Sequence, residues 1–280
     1  MERREKITRV CDDKFMGVKT SITLKELNEL FPVYNFTKLT PTASGIIDTT
    51  YIVHTKSSAY ILKRYERDIP HKIELDIQLL NYLKSAGLNV PLCLDKKDGW
   101  FIYEKLIGKH PISVKSFHIQ ALARFMAKMH TETSKVECKT NILIEDEVTE
   151  SLNFVKANFF AYYKRFEFLK NFTRNHDAII HGDIFKDNTI FNGKKIGVID
   201  FIDSSCGTFA YDVAVALVGF DAREHHDYYI NLFLINYNQH SPKKLDKKTV
   251  KKKMRFAVNF FALKRIHEYK NTSRARELLK

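Results

Sequence analysis

The sequence predicts an α+β chain of two lobes, a small antiparallel sheet followed by a mostly helical part. Between Asn35 and Arg64 the pattern runs strand, small-residue loop, strand, turn, strand, whereas from Ser116 onward apolar residues recur at helical spacing. At 280 residues and 44% hydrophobic content the chain can bury a large core, and its length suits one large or two modest domains. The expected division is an extension over residues 1–21, a first lobe over 22–107 and a second over 108–280.

Thr23 followed by Glu26 ahead of Leu27 and Leu30 is a capping-box pattern, and Pro32 ends the short helix it starts. Phe36 to Thr40 and Thr50 to Thr55 read as strands around the small-residue loop Pro41 to Gly45. A turn at Lys56-Ser57-Ser58 leads back through Tyr60 to Lys63. His71 to Ala86 reads as a helix with Ile73, Ile77, Leu80 and Lys84 on one stripe, stopped by Gly87. Trp100 to Leu106 reads as a strand, and Ser116 to His130 as a helix with Ile119, Leu122, Met126 and Met129 inward. Residues 151–172 are rich in aromatics at helical spacing, which reads as core packing; one wall of a substrate pocket is the alternative.

The chemistry concentrates between Ile180 and Phe201. Ile180-His181-Gly182-Asp183 ends an apolar run, Asn188 follows five positions after Asp183, and Ile199-Asp200-Phe201 closes a hairpin whose turn falls at Asn192-Gly193. Phosphoryl transfer requires a carboxylate beside the attacking hydroxyl and oxygen ligands on the cation that neutralises the phosphates. An Asp, an Asn five residues on and an Asp before Phe supply these in the order of the kinase template, with His-Gly-Asp for His-Arg-Asp and Ile-Asp-Phe for Asp-Phe-Gly. Asp183 is therefore the candidate catalytic residue, and Asn188 and Asp200 the candidate Mg²⁺ ligands. In the same template the loop holding Ser44 and Gly45 covers the ATP phosphates through backbone N–H groups, and Lys63 binds them from below. Glu74 on the following helix is the candidate partner of Lys63, with Asp76 as rival.

The same segments resemble the aminoglycoside phosphotransferase, choline kinase and homoserine kinase superfamily of the protein-kinase-like fold. Ile179 to Phe191, Gly197 to Asp203, Tyr211 to Ala216, Tyr60 to Tyr65 and Arg255 to Ile266 look most like homoserine kinases. The resemblance implies a two-lobed protein-kinase-like fold, ATP and Mg²⁺ as cofactors, and backbone contacts from Glu104 and Leu106 to adenine. It also implies bracing roles for His181 and Asp212. Related homoserine kinases tend to carry Asn where this chain has Asp48, a departure in the phosphate loop.

About ten residues separate Asp200 from the helix at Tyr211, too few for the activation loop and Ala-Pro-Glu signature of a protein kinase. A small-molecule alcohol is thus the expected substrate. Homoserine is the first choice, choline, ethanolamine or an aminoglycoside the alternative, and a nucleotide-binding regulator without activity the reading from another class. Residues 221–280 hold 15 Lys or Arg against 6 Asp or Glu, unsuited to a polycationic acceptor.

The net charge of +13 concentrates at Lys243 to Lys253. That run lacks interleaved aromatics, so it reads as a solvated loop and helix start rather than a nucleic-acid surface. The charged N-terminus and the absence of a long apolar run imply a cytoplasmic chain without membrane contact. Cys11, Cys93, Cys138 and Cys206 lie far apart, form no Cys-x-x-Cys pair and read as reduced thiols.

Overall fold

The computed structural model describes residues 18–42, 47–138, 143–171, 175–222 and 226–279. Its contacts divide it into two compact units. One holds the described residues up to His71 together with Leu92–Lys105; the other holds Lys72–Pro91 and the described residues from Leu106 onward. Unlike a single cut at 107/108, this division is discontinuous in sequence and groups the helix after Lys63 largely with the second unit.

The first unit is built on an antiparallel sheet. Helix α1 (Leu24–Leu30) starts at Thr23, whose hydroxyl caps the Glu26 N–H while the Glu26 carboxylate reaches back to the Thr23 N–H. Strands β1 (Lys38–Pro41), β2 (Thr49–His54), β3 (Ala59–Arg64), β4 (Cys93–Lys97) and β5 (Trp100–Glu104) form a sheet of order β1-β2-β3-β5-β4. Alternation places Tyr51, Val53, Leu62, Trp100 and Ile102 on the face that packs against Leu27, Phe31 and Phe36. The expected strand at Trp100 stops at Glu104, two residues early.

The second unit is helical around two short ribbons. Helix α2 (Pro70–Ser85) buries Asp76, Ile77, Leu80 and Leu83, so its inward stripe includes Leu83 rather than Ile73 and Lys84. Lys84 instead donates to the Val90 carbonyl. Helix α3 (Ser116–Thr133) buries Ile119, Leu122, Met126 and Met129. The aromatic stretch is not one helix: α4 (Leu143–Asn158) ends before Phe159, and α5 (Phe160–Phe166) follows with a 3-10 turn over Glu167–Lys170. Most of its rings join one cluster with Phe260, Leu263 and Ile266 of α8 (Lys247–Tyr269), which is the core-packing reading.

β6 (Ala178–Ile180) pairs with β9 (Ser205–Gly207), and β7 (Thr189–Asn192) with β8 (Lys195–Val198). In the second ribbon Asn192 pairs with Lys195, so the turn is Gly193-Lys194, one position later than expected, with Gly193 at φ +60°. Helix α6 (Phe209–Gly219), capped by the Thr208 hydroxyl, is apolar all round and buried along its whole length, while α7 (His226–Asn238) packs on α3.

The reading of four reduced thiols is corrected at two positions. Cys138, just beyond α3, is disulfide-bonded to Cys206 on β9, across a sequence separation of 68. Tertiary packing creates this neighbourhood, so no local spacing announces it. Cys11 lies outside the described residues.

Candidate active site

In the second unit the loop between β6 and β7 is held from three sides. Gly182 sits at φ +78°, a left-handed conformation that most side chains avoid, and this turns the chain so that Asp183 follows at once. The Asp212 carboxylate, fully buried near the start of α6, accepts the Gly182 N–H at 2.7 Å and the His181 N–H at 3.3 Å. Its Oδ2 also meets His130 Nε2 at 2.9 Å, while His130 Nδ1 meets the Tyr237 hydroxyl at 2.7 Å. Burial alone would raise the Asp212 carboxyl. The hydrogen bond and charge of His130, with the Gly182 N–H, outweigh it and hold the group below the usual carboxylate range.

His181 ties the two halves of the motif together. Its Nε2 lies 3.0 Å from the Ile199 carbonyl, and its Nδ1 accepts the Asp183 N–H at 3.2 Å. That pattern assigns the ring proton to Nε2 and fastens the loop of Asp183 to the segment leading into Asp200. The Asn188 side-chain amide donates to the Asp183 carbonyl at 2.8 Å and to Asp183 Oδ2 at 3.2 Å. Its nitrogen is thereby committed, leaving the Asn188 Oδ1 as the atom suited to a cation. Asp200 stands exposed at φ +68° just past β8, a backbone conformation uncommon outside glycine.

Charge has accumulated at this point. Burial, then the Asp200 carboxylate, push the Asp183 carboxyl up to about 8, with Asp187 and Asp203 adding to the effect and Lys264 opposing it. No group of three or more His, Cys, Asp or Glu side chains among the described residues could enclose a metal. Mg²⁺ in kinase-type sites needs no such cage, since it takes one or two protein oxygens and completes its shell with phosphate and water. An excess of carboxylate charge beside an amide oxygen fits a group that brings positive charge.

In the first unit Lys63 Nζ lies 3.7 Å from Asp48 Oδ2, which is also 3.6 Å from Arg67 Nη2. Asp48 as a neighbour of Lys63 is not legible in the sequence. The register pairs Thr50 with Lys63, so Asp48 is its diagonal neighbour on the same face, a relation fixed only once the turn is known. Glu104 ends β5 and donates its N–H to the Leu92 carbonyl at 2.9 Å, while its carboxylate accepts the Leu92 N–H at 3.3 Å. Ser44 and Gly45 lie outside the described residues. In the second unit Glu74 is exposed on α2, whereas its rival Asp76 is buried, and Leu106 is half-buried.

A two-lobed, protein-kinase-like fold carrying this loop defines a kinase of small molecules. The chain belongs to the phosphotransferase enzyme family (APH), whose sequence profile matches residues 38–236. It is 28% identical over 238 residues to homoserine kinase of Sinorhizobium medicae, a match spanning 72% of this chain and 70% of that one. Homoserine kinase of Rhizobium meliloti matches at 29% over 237 residues with the same coverage. In fold it is similar to amicoumacin kinase hAmiN in complex with AMP-PNP, Ca²⁺ and Ami, with a TM-score of 0.73 at 17% identity over 91% of this chain and 90% of that one. Choline kinase LicA from Streptococcus pneumoniae gives 0.66 at 16% identity, covering 91% and 96%. No helix among the described residues is long and apolar enough to cross a membrane.

Proposed function

We propose that the protein transfers the γ-phosphoryl group of ATP to the side-chain hydroxyl of homoserine, giving O-phosphohomoserine and ADP. The carrying observation is the Asp183 carboxylate, fixed by Asn188, His181 and, through Gly182, by Asp212. Burial and the neighbouring Asp200 raise the proton affinity of Asp183, so its ionised form is a better proton acceptor than an ordinary carboxylate. The hydroxyl oxygen forms its bond to the γ-phosphorus as the bond to the β,γ-bridging oxygen breaks. The hydroxyl proton passes to Asp183, and the leaving electron pair stays on ADP. Most of the rate then comes from orientation and electrostatics.

Asn188 and Asp200 would hold Mg²⁺, which supplies neutralisation of phosphate charge. Lys63 would pair with the phosphates; Ser44 and Gly45 would offer loop N–H groups, and Glu104 and Leu106 backbone contacts to adenine. Nucleotide use finds support in fold relatives described with AMP-PNP or with ADP. Homoserine as acceptor rests on the matched homoserine kinases. Choline is disfavoured because Phe154, Phe159, Tyr162 and Tyr163 pack into the α4/α8 cluster rather than standing ready as a cationic cage. A cytoplasmic location follows from the need for ATP.

The test is Mg²⁺-dependent ADP release with homoserine, choline, ethanolamine and an aminoglycoside supplied in parallel. Selective turnover of homoserine is the expected result. Efficient turnover of choline with none of homoserine would overturn the acceptor and keep the chemistry.

A further inference from the structure

Lys264 and Glu147 form a charged pair that the phosphoryl-transfer machinery does not use. Lys264 Nζ on α8 lies 3.4 Å from Glu147 Oε2 on α4, and both side chains are only partly exposed. The two helices do not need it for adhesion: Val148, Leu152 and Val155 of α4 already share an apolar cluster with Phe260, Leu263 and Ile266 of α8. A partly exposed ion pair adds little to such an interface.

Its position relates it to the catalytic loop. The Phe261 ring of α8 meets the Phe185 ring edge-on at 5.0 Å, two residues past Asp183, and Lys264 lies one helical turn further along the same face. Burial works against the Lys264 ammonium, but Glu147, Glu268 and Asp203 outweigh it and hold it charged. Asp203, three residues beyond Asp200, is itself 3.5 Å from Lys72 Nζ. Charges of both signs thus stand close together around Lys264, which also acts on the Asp183 carboxyl, and a single-sign acceptor brought there would meet repulsion from one of them.

We propose that Lys264 and Glu147 grip the two charged ends of a zwitterionic acceptor, an α-amino acid with a side-chain hydroxyl, Lys264 taking the carboxylate and Glu147 the ammonium. The pair is net neutral, as such an acceptor is, and each member exchanges one partner for an equivalent one on binding. A quaternary amine or polycation would leave Lys264 facing like charge. This rests on the kinase reading above and sharpens its acceptor from a name to a charge pattern.

The test compares L-homoserine with 3-aminopropan-1-ol, which lacks the carboxylate, and 4-hydroxybutanoate, which lacks the ammonium. Wild type should prefer homoserine over both. Lys264→Met should raise the homoserine KM by ~10–100-fold with a much smaller change in kcat, the range expected for one charged hydrogen bond. It should also erase the preference over 3-aminopropan-1-ol. Glu147→Gln should erase the preference over 4-hydroxybutanoate, and Lys264→Arg should keep most of the wild-type KM. A folded Lys264→Met whose homoserine KM stays within about twofold of wild type overturns the clamp and leaves the homoserine reading standing. Wild type that turns over choline but no hydroxy amino acid overturns both. Should Lys264→Met fail to fold, Glu147→Gln and the truncated acceptors decide the same question.

Discussion

Gly182 donates its backbone N–H to the Asp212 carboxylate at 2.7 Å, so a buried acid 30 residues along the chain fixes the turn that presents Asp183. The same acid is shared with His130 and the His181 N–H, and removing it would leave three donors, two of them buried, without their acceptor.

Asp212→Ala should therefore destabilise the protein by about 3–5 kcal/mol, the range for breaking one side of a buried charged pair. Its carboxyl is depressed in the folded state, so the stability it contributes is present above the unfolded value near 3.8 and is lost as pH falls through the lower folded value. Urea melts of wild type and Asp212→Asn from pH 7 down to pH 3 check this: wild type should lose stability more steeply on acidification. Parallel curves would remove Asp212 as the source.

Asp183 has the opposite sign. Its folded value, about 8, lies above the ordinary 3.8, so between them the folded protein holds a proton the unfolded chain releases. Stability falls as pH rises through that window. With Mg²⁺ supplied, Asp183→Asn should abolish turnover; melted in EDTA, it should exceed wild type in stability at pH 8 by on the order of 2–5 kcal/mol. The gain should shrink towards pH 4, as thermal melts at the two pH values would reveal. An active Asp183→Asn enzyme would remove Asp183 from the proposed chemistry.

Gly219 is required by proximity. A Cβ there would stand 2.8 Å from Phe185 Cα and 2.9 Å from the Ile184 carbonyl, both backbone of the Asp183 loop. Gly219→Ala must push the loop off α6, and kcat should fall by at least ~10-fold while the protein remains folded, a displacement effect of the kind expected for misplaced catalytic groups. A steady-state assay beside a circular-dichroism melt distinguishes this from unfolding; unchanged kcat would show that the loop yields freely.

Reducing the Cys138–Cys206 bond frees a span of 68 residues in the unfolded chain. The corresponding loss is about 4 kcal/mol on the chain-entropy account. Melting with and without dithiothreitol should show it in wild type and not in Cys138→Ser. Equal wild-type melts under both conditions would mean the bond contributes no net stability.

The groups legible in the sequence are those that the chain brings together within a few residues. Asp183, Asn188 and Asp200 span one loop and one hairpin, so their order alone carried the reading, as Thr23 and Glu26 did for α1. The Gly193-Lys194 turn was off by one because Asn-Gly is a strong turn signal that the ladder overrode, pairing Asn192 with Lys195. Partnerships made by helix packing gave no local sign. Glu147 and Lys264 are 117 residues apart, and His130 and Asp212 are 82 apart. The bounds of α4 and α8 were not readable either, since one helical stretch was expected over 151–172 where α4 ends at Asn158, and which charged residue each helix turns towards the other depends on their mutual rotation.

The left-handed backbone at Asp200 sets two demands on one position against each other. Glycine would relax the main chain there by ~1 kcal/mol and is a single base change from aspartate, yet it would discard the carboxylate. A lineage no longer selected for phosphoryl transfer should drift to glycine at this site early. Among descendants of this chain, the residue at position 200 would then serve as a genetic marker separating working copies from retired ones.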